Sequence, residues 1–341
     1  MRPAIIYLTQ NTKKDALHGR DSRSALERSL DLLYKNYNER FRHDVLIFHE
    51  GDFTEGDQTE VARGRKEISF KTIHFDLPEF LVQEEVPALW RPWGTEGFGM
   101  GYRHMMRFYA VQVFDIMRDM GYDWLIRMDD DSFIHSRIDY DLFEFMDRNG
   151  YEYGYRVDVK EGEIFARGFG EAVLAYVKAE AIQPTFLHEH FTAKNIGLRA
   201  QSKNLAKSLV MRAFPQKKLR LAENPLEYDL WIYYNNFFIT RVAFWHRPDV
   251  RAFVRHFDRL GGWYKYRWGD HIFQSVAVQT FMPKGKVYKF TDWTYEHASR
   301  MMNKITCGGI YEGTNDRDSE AVKAFKAAYG TAINCDCYPS F

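Results

Sequence analysis

With 341 residues the chain is long enough to bury one large core or two closely packed lobes without disulfides or a structural metal. Lys plus Arg and Asp plus Glu stand at 47 each, and a formal net charge of zero excludes the long-range positive field of a protein built to hold DNA, RNA or an anionic membrane. Aromatic residues make up 16% of the chain, which suits a core together with a cleft where flat faces stack on sugars or bases, although core packing alone accounts for most of them.

Ala4 to Thr9 is a short apolar, β-rich run that reads as a buried first strand ending in the polar loop Gln10-Asn11-Thr12. The opening stretch is too short for a signal peptide or a transmembrane helix, so the chain as written is expected to be soluble and cytoplasmic. Leu26, Leu30, Leu33 and Tyr37 recur at helical spacing, and Asp44 to Phe48 reads as a second strand. Residues 51–66 read as a loop, Ile68 to Phe75 as a strand and Pro87 to Gly101 as irregular. Met106, Ala110, Val113 and Met117 mark the buried face of a helix from Arg103 to Met120, followed by a strand at Trp124 to Met128. Helices are expected over Asp139–Asn149, Gly170–Ala181, Asp249–Leu260 and Gly269–Met282, and a strand over Asn236–Trp245. Phe186 to Asn224 carries no readable period. Cys335-x-Cys337 cannot complete a zinc site alone. The alternation predicts one α/β domain over 1–341 with a mostly parallel central sheet flanked by helices.

Asp129-Asp130-Asp131 directly follows the apolar strand, and three adjacent carboxylates repel unless a cation or hydrogen-bond donors offset them. Ligands of open α/β sheets collect beyond the carboxyl ends of the strands, and residues i and i+2 of an extended segment share a face. Asp129 and Asp131 are therefore candidate ligands of Mn²⁺ or Mg²⁺ bridging a nucleotide diphosphate, with Asp130 turned away. The competing reading is an acidic turn with Asp131 or Ser132 capping a helix. Tyr102-Arg103-His104-Met105-Met106-Arg107, with Arg127, offers cations to phosphate or sugar hydroxyls, or else a solvated basic helix face. In Gly261 to Asp270, Tyr266 and Trp268 offer faces to a sugar and Asp270 a carboxylate to its hydroxyls, unless Asp270 only caps the next helix. His297 is a further candidate ligand, or a satisfied polar residue.

Several of these segments, in this order, resemble the fungal Golgi α-1,2-mannosyltransferases, glycosyltransferase family 15. Tyr102-Arg103-His104-Met105-Met106-Arg107-Phe108 matches the family's Tyr-Arg-His-Met-x-Arg-Phe, and Ile138-Asp139-Tyr140-Asp141-Leu142-Phe143 its Ile-Asp-Tyr-Asp-x-Phe. Arg127-Met128-Asp129-Asp130-Asp131 stands where the family has Arg-x-Glu-Pro-Asp, and Tyr266-Arg267-Trp268-Gly269-Asp270 is similar to its x-Arg-Trp-Gly-Asp. The resemblance runs from about residue 4 to 298. It implies a GT-A type glycosyltransferase fold, Rossmann-like, with residues 1–135 as the donor half and 136–341 as mainly the acceptor half plus a C-terminal tail. It also implies Mn²⁺, GDP-mannose as donor, a glycan acceptor, retention of configuration and, only if a membrane anchor has been removed, a Golgi lumen location.

The site residues implied are Asp129, Asp131 and His297 for the metal; Thr9, Asn11, Tyr102, Arg103, Arg127 and Asp129 for the donor; Tyr266, Trp268 and Asp270 for the acceptor; and Asp270, Tyr102 and Asn236 for catalysis. Where the family carries a carboxylate two residues beyond the Asn of its Asn-Phe-Glu segment, Asn236-Phe237-Phe238 puts Phe238. A covalent glycosyl-enzyme at that position is thereby excluded, which leaves front-face attack or a shifted carboxylate such as Glu227 or Asp229. Other functions compatible with these residues are a carbohydrate-binding protein on a degenerate transferase fold, and a nucleotidyltransferase or sugar-nucleotide hydrolase.

Overall fold

The computed structural model describes residues 1–12, 21–82, 86–135, 137–193, 226–293 and 295–297. Most of the stretch without a readable period and the Cys335-x-Cys337 pair lie outside them.

Chain alternation builds the sheet from its middle outward. Pro3–Leu8 (β1), all but its ends buried, pairs in parallel with Asp44–His49 (β2) on one side and Trp124–Met128 (β4) on the other, and β2 continues in parallel to Ile68–Thr72 (β3). The crossover from β1 to β2 runs through Ser22–Leu33 (α1), capped by Asp21 and packed through Leu26, Leu30 and Leu33. Beyond β4 the sheet adds Phe237–Arg241 (β11), Tyr153–Tyr155 (β6) and Val287–Lys289 (β12), giving the order β12-β6-β11-β4-β1-β2-β3. Only β11 runs antiparallel to its neighbours in this sheet, and Asp158–Lys160 (β7) pairs antiparallel with Trp231–Tyr233 (β10) outside it. The architecture is the expected α/β sheet, mostly parallel, with helices on its faces.

Three readings are corrected. The stretch 51–66 is not all loop: Glu55–Ala62 (α2) is a helix opened by a capping box between Thr54 and Asp57. Val61 is its one buried residue, so it shows no apolar period. The strand expected to reach Trp245 stops at Arg241, after which Val242–Trp245 turns helical and stacks Trp245 on Phe114 at 4.1 Å. The helix expected from Arg103 begins earlier, as Met100–Arg107 (α3). It passes through a π-helical turn at Phe108–Gln112 and continues as Val113–Asp119 (α4). Among the described residues no helix is long and apolar enough to cross a membrane.

The helix Pro248–Leu260 (α8, counting the helices Leu142–Arg148 as α5, Phe169–Ala179 as α6 and Val242–Trp245 as α7) ends at Gly261 in the left-handed region. Gly262 follows, and a Cβ there would lie 2.0 Å from the Trp268 ring, whose Nε1 donates to the Arg167 carbonyl at 2.9 Å. No side chain fits without moving a pinned indole. Gly262→Ala should cost about 3 kcal/mol, the upper end of overpacking penalties. An unchanged denaturation midpoint in that variant would contradict the packing.

Candidate active site

The buried run of β4 ends at Met128, and the three aspartates leave the sheet at its carboxyl edge. A turn closes there: the Ser132 amide donates to the Asp129 carbonyl at 3.0 Å, and the Asp129 amide to the Asn236 carbonyl at 3.2 Å. Ser132–Ile134 (β5) follows, a strand and not a helix, so neither Asp131 nor Ser132 is a helix cap. β5 pairs antiparallel with Tyr295–His297 (β13), setting His297 opposite Ser132. This register carries His297 across the chain to the aspartates, with its Nδ1 3.1 Å from an Asp131 carboxylate oxygen.

Asp129, Asp131 and His297 each offer one ligand atom, all within 4.8 Å of one another. Two carboxylates and one imidazole are a donor set suited to Mn²⁺ or Mg²⁺, so the residues fit a divalent cation. Asn236, immediately before β11, donates through Nδ2 to Asp129 at 2.8 Å and lies 3.2 Å from His297 Nε2. As the spacing argument required, Asp130 turns away and accepts from the Thr9 hydroxyl at 2.8 Å, tying the end of β1 to the acidic turn. Asn11 sits further along this edge, donating through its backbone amide and its side chain to Asp52 and accepting from Arg23 at 2.9 Å.

A buried ladder of alternating charge leads from the metal-binding set into the molecule. Arg127 donates through Nε to Asp129 at 2.8 Å and through Nη1 to Asp270, with its guanidinium 3.4 Å from the Tyr109 ring centroid. Burial opposes the charge on Arg127, yet Asp129 and Asp270 hold its pKa above the ordinary value. Asp270 shows the converse. Burial acts to raise its pKa, but Arg127 and His271 carry it below the usual carboxylate value, and Asn235 donates to the same oxygen at 2.8 Å. Asp270 opens the helix Asp270–Phe281 (α10, after the turn Gly262–Lys265, α9) from inside, the cap position belonging to Gly269. Its carboxylate thus serves the ladder through one oxygen and caps nothing. His271 extends the series to Glu161: burial lowers the imidazole, Glu161 more than restores it, and the net shift is upward.

Two expected contacts are corrected. Arg103 is fully buried, and all five of its N–H bonds are taken by the protein. Nε donates to the Phe98 carbonyl, Nη1 to those of Trp263 and Tyr264, and Nη2 to the Thr95 carbonyl and hydroxyl. With burial pushing its pKa down to about 10, it braces the loop before α3 and has nothing left for a phosphate. Trp268 is 3% exposed and packs on Phe169 and Phe257, so it is core and not a sugar platform. Tyr266 is half-buried against Trp268. Tyr102 is 36% exposed and accepts from Arg267 Nη2 at 2.7 Å. Phe238 is fully buried, stacked on Tyr153 at 5.7 Å and opposite Arg127 across the ladder from β4, so position 238 presents no carboxylate. Asp229 pairs with His190 at 3.1 Å and accepts from the Trp231 amide, while Glu227 is exposed on Leu226–Tyr228 (β9, paired with Phe191–Ala193, β8).

A family model for glycolipid 2-alpha-mannosyltransferases matches residues 7–315. This chain belongs to that family. Its relatives include an alpha-1,2 mannosyltransferase of Saccharomyces cerevisiae, KTR1, 24% identical over 301 residues that cover 83% of this chain and 70% of that protein. A glycolipid 2-alpha-mannosyltransferase of the same yeast is 24% identical over 87% of this chain and 61% of its own length. One from Candida albicans is 23% identical over 80% and 55%. The chain therefore spans a little over half to about two thirds of these curated relatives.

Two solved structures share the fold. The mannosyltransferase Ktr4p of S. cerevisiae in complex with GDP matches with a TM-score of 0.70 at 18% identity, covering 99% of this chain and 84% of that one. The core-mannan synthase CmsA/Ktr4 of Aspergillus fumigatus in its Mn/GDP form matches at 0.69 and 19%, covering 87% and 74%. The fold is GT-A type, as the family motifs implied.

Five participants had no assignment from sequence: Asn235, Tyr109, Glu161, Arg267 and His271. Arg267 stood inside a quoted motif and Asn235 beside Asn236, so both were within reach. Tyr109 and Glu161 come to the site only through contacts between distant segments and carry no local signal.

Proposed function

We propose that the chain transfers mannose from GDP-mannose to a hydroxyl of a glycan acceptor, with retention of configuration. The observation that carries this reading is the convergence of Asp129, Asp131 and His297, with ligand atoms within 4.8 Å, at the carboxyl edge of β4. Those three residues would hold Mn²⁺ on the diphosphate, where a bound cation neutralises charge building up on the leaving group. The acidic turn belongs to the proposed donor half, 1–135, and His297 to the acceptor half, so both halves meet at the metal-binding set.

Arg127 donates to Asp129 and Asp270 and fixes both, and Asn235 and Asn236 orient the same two carboxylates. Asp270 accepts hydrogen bonds from acceptor hydroxyls, and Tyr102 and Tyr266 line the approach. Because Phe238 presents no carboxylate, the acceptor oxygen bonds to the anomeric carbon on the face the diphosphate leaves. The bonding electrons go to the diphosphate, and the hydroxyl proton passes to one of its oxygens. Catalysis is then positioning and charge stabilisation.

Thermal shift with GDP, UDP and dTDP, each with and without Mn²⁺, followed by product analysis with GDP-mannose and a mannoside, tests the proposal. A shift that needs both GDP and Mn²⁺, followed by transfer, is the expected result; a ligand at one hundred times its Kd adds about 2.7 kcal/mol of stability. Release of free mannose alone would indicate a hydrolase. Phe238 favours a second reading, glycan binding without turnover, which the same experiment would show as a mannoside shift with no product.

A further inference from the structure

His297 reaches the aspartates on a short ladder. β5 and β13 pair with Tyr295 opposite Ile134, Glu296 opposite Phe133 and His297 opposite Ser132. Residues directly opposite share a face, so one face carries Ser132, Ile134, Tyr295 and His297. The other carries Phe133, Glu296 and, two residues beyond Phe133, His135. Burial enforces register where one face is dry and the other wet. That rule does not decide here, because Phe133, Ile134, Tyr295 and Glu296 are all buried and a slip of one residue would exchange two buried faces. It would also put Glu296 opposite Ser132 and turn the His297 imidazole to the other face.

Polar contacts supply the missing specification. On the first face the Tyr295 hydroxyl lies 2.7 Å from that of Ser132, which donates to the Asn236 carbonyl at 3.3 Å. On the second face His135 Nε2 lies 2.5 Å from Glu296 Oε2, the two side chains being 7% and 0% exposed. Glu296 Oε1 has no hydrogen-bond partner among the described residues. A buried carboxyl group with one oxygen unmet is costly, and two apolar side chains of similar volume would hold the fold as well or better. The best attested use of such a buried polar pair is to fix register. We propose that His135 and Glu296 lock the register of β13, which makes Glu296 a positioning residue for the cation: it holds His297 where its ring joins Asp129 and Asp131. Neither residue belongs to the metal-binding set itself. The inference rests on the metal-binding reading above.

A register lock separates metal affinity from stability. Mn²⁺ binding to the full chain, read from the EPR signal of the free ion, needs neither nucleotide nor turnover. The His135→Leu/Glu296→Leu variant should keep the melting temperature of the metal-free protein, since apolar side chains replace a buried polar pair. Its Mn²⁺ affinity should nevertheless fall about 10- to 100-fold, the loss typical when a group supporting a metal ligand is removed. The exchanged pair, His135→Glu/Glu296→His, restores an imidazole beside a carboxyl group and should recover most of the affinity, whereas Glu296→His alone should not. Hydrogen exchange in the Leu/Leu variant should quicken at residues 132–134 and 295–297 and stay unchanged in the central strands.

Mn²⁺ binding by the Leu/Leu variant as tight as that of the unaltered protein, or no recovery in the exchanged pair, would overturn the inference. So would a lower melting temperature or a failure to fold in the Leu/Leu variant, either of which would make the pair a support of the fold and not of the register. If the unaltered protein binds no Mn²⁺, the metal-binding reading fails by itself. Hydrogen exchange then decides the lock alone, and equal protection of residues 295–297 in the two proteins would refute it.

Discussion

Asp129→Asn should lower kcat by about 1,000-fold while the protein without metal keeps its melting temperature. The rate effect follows from Asp129 being both a candidate metal ligand and a partner of Arg127 and Asn236, so its charge sets how cation and diphosphate are held. Loss of one preorganised charge-stabilising group costs 100- to 1,000-fold in comparable sites, and this residue acts through the cation as well. The stability expectation has a different origin. In the metal-free state Asp129 and Asp131 repel, so removing one charge relieves strain while depriving Arg127 of one of two partners, and the effects oppose. Melting curves should show the metal-free variant unchanged and the shift produced by GDP with Mn²⁺ gone. Turnover and Mn²⁺ dependence equal to the unaltered protein would sink the proposed centre.

The sheet was legible because its central strands are continuous apolar runs with polar exits, a pattern that survives without tertiary information. The acidic turn was legible for a related reason: three adjacent carboxylates after a buried strand have few explanations. Alternation along the segment even separated Asp129 and Asp131 from Asp130. What failed was reading function from residue type alone. An Arg in a basic helix start promises phosphate contact, yet Arg103 turns inward to carbonyls. Trp268 promises a sugar platform, yet Gly262 leaves a space that the indole fills. Both outcomes depend on which long-range partner closes over the side chain. The same is true of α2, whose capping box was present in Thr54 and Asp57 but unsupported by an apolar period.

Asp270→Asn is expected to weaken both the fold and acceptor recognition, and the two effects separate experimentally. Arg127 and Asp270 are almost wholly buried, so removing the carboxylate charge leaves a desolvated guanidinium with Asp129 as its remaining ionic partner. Breaking a buried pair from one side costs 3–5 kcal/mol, and the surviving partner places this variant at the low end, about 3 kcal/mol. The pH dependence gives a check on cause. The Asp270 pKa in the folded state lies below its unfolded value of about 3.9, so between the two the unfolded chain binds more protons. Its contribution is present above about pH 4 and is lost as pH falls through the lowered folded value. The unaltered protein should therefore lose stability more steeply than Asp270→Asn on acidification, and parallel curves would refute the ionic origin. At neutral pH the variant should still show the shift with GDP and Mn²⁺, because the metal-binding set is intact, while kcat/KM for the acceptor falls about 100-fold. A hydroxyl left facing an amide oriented by Arg127 loses its charged acceptor and with it a charge-assisted hydrogen bond. Loss of nucleotide binding with acceptor kinetics preserved would reverse the assignment and move Asp270 to the donor side.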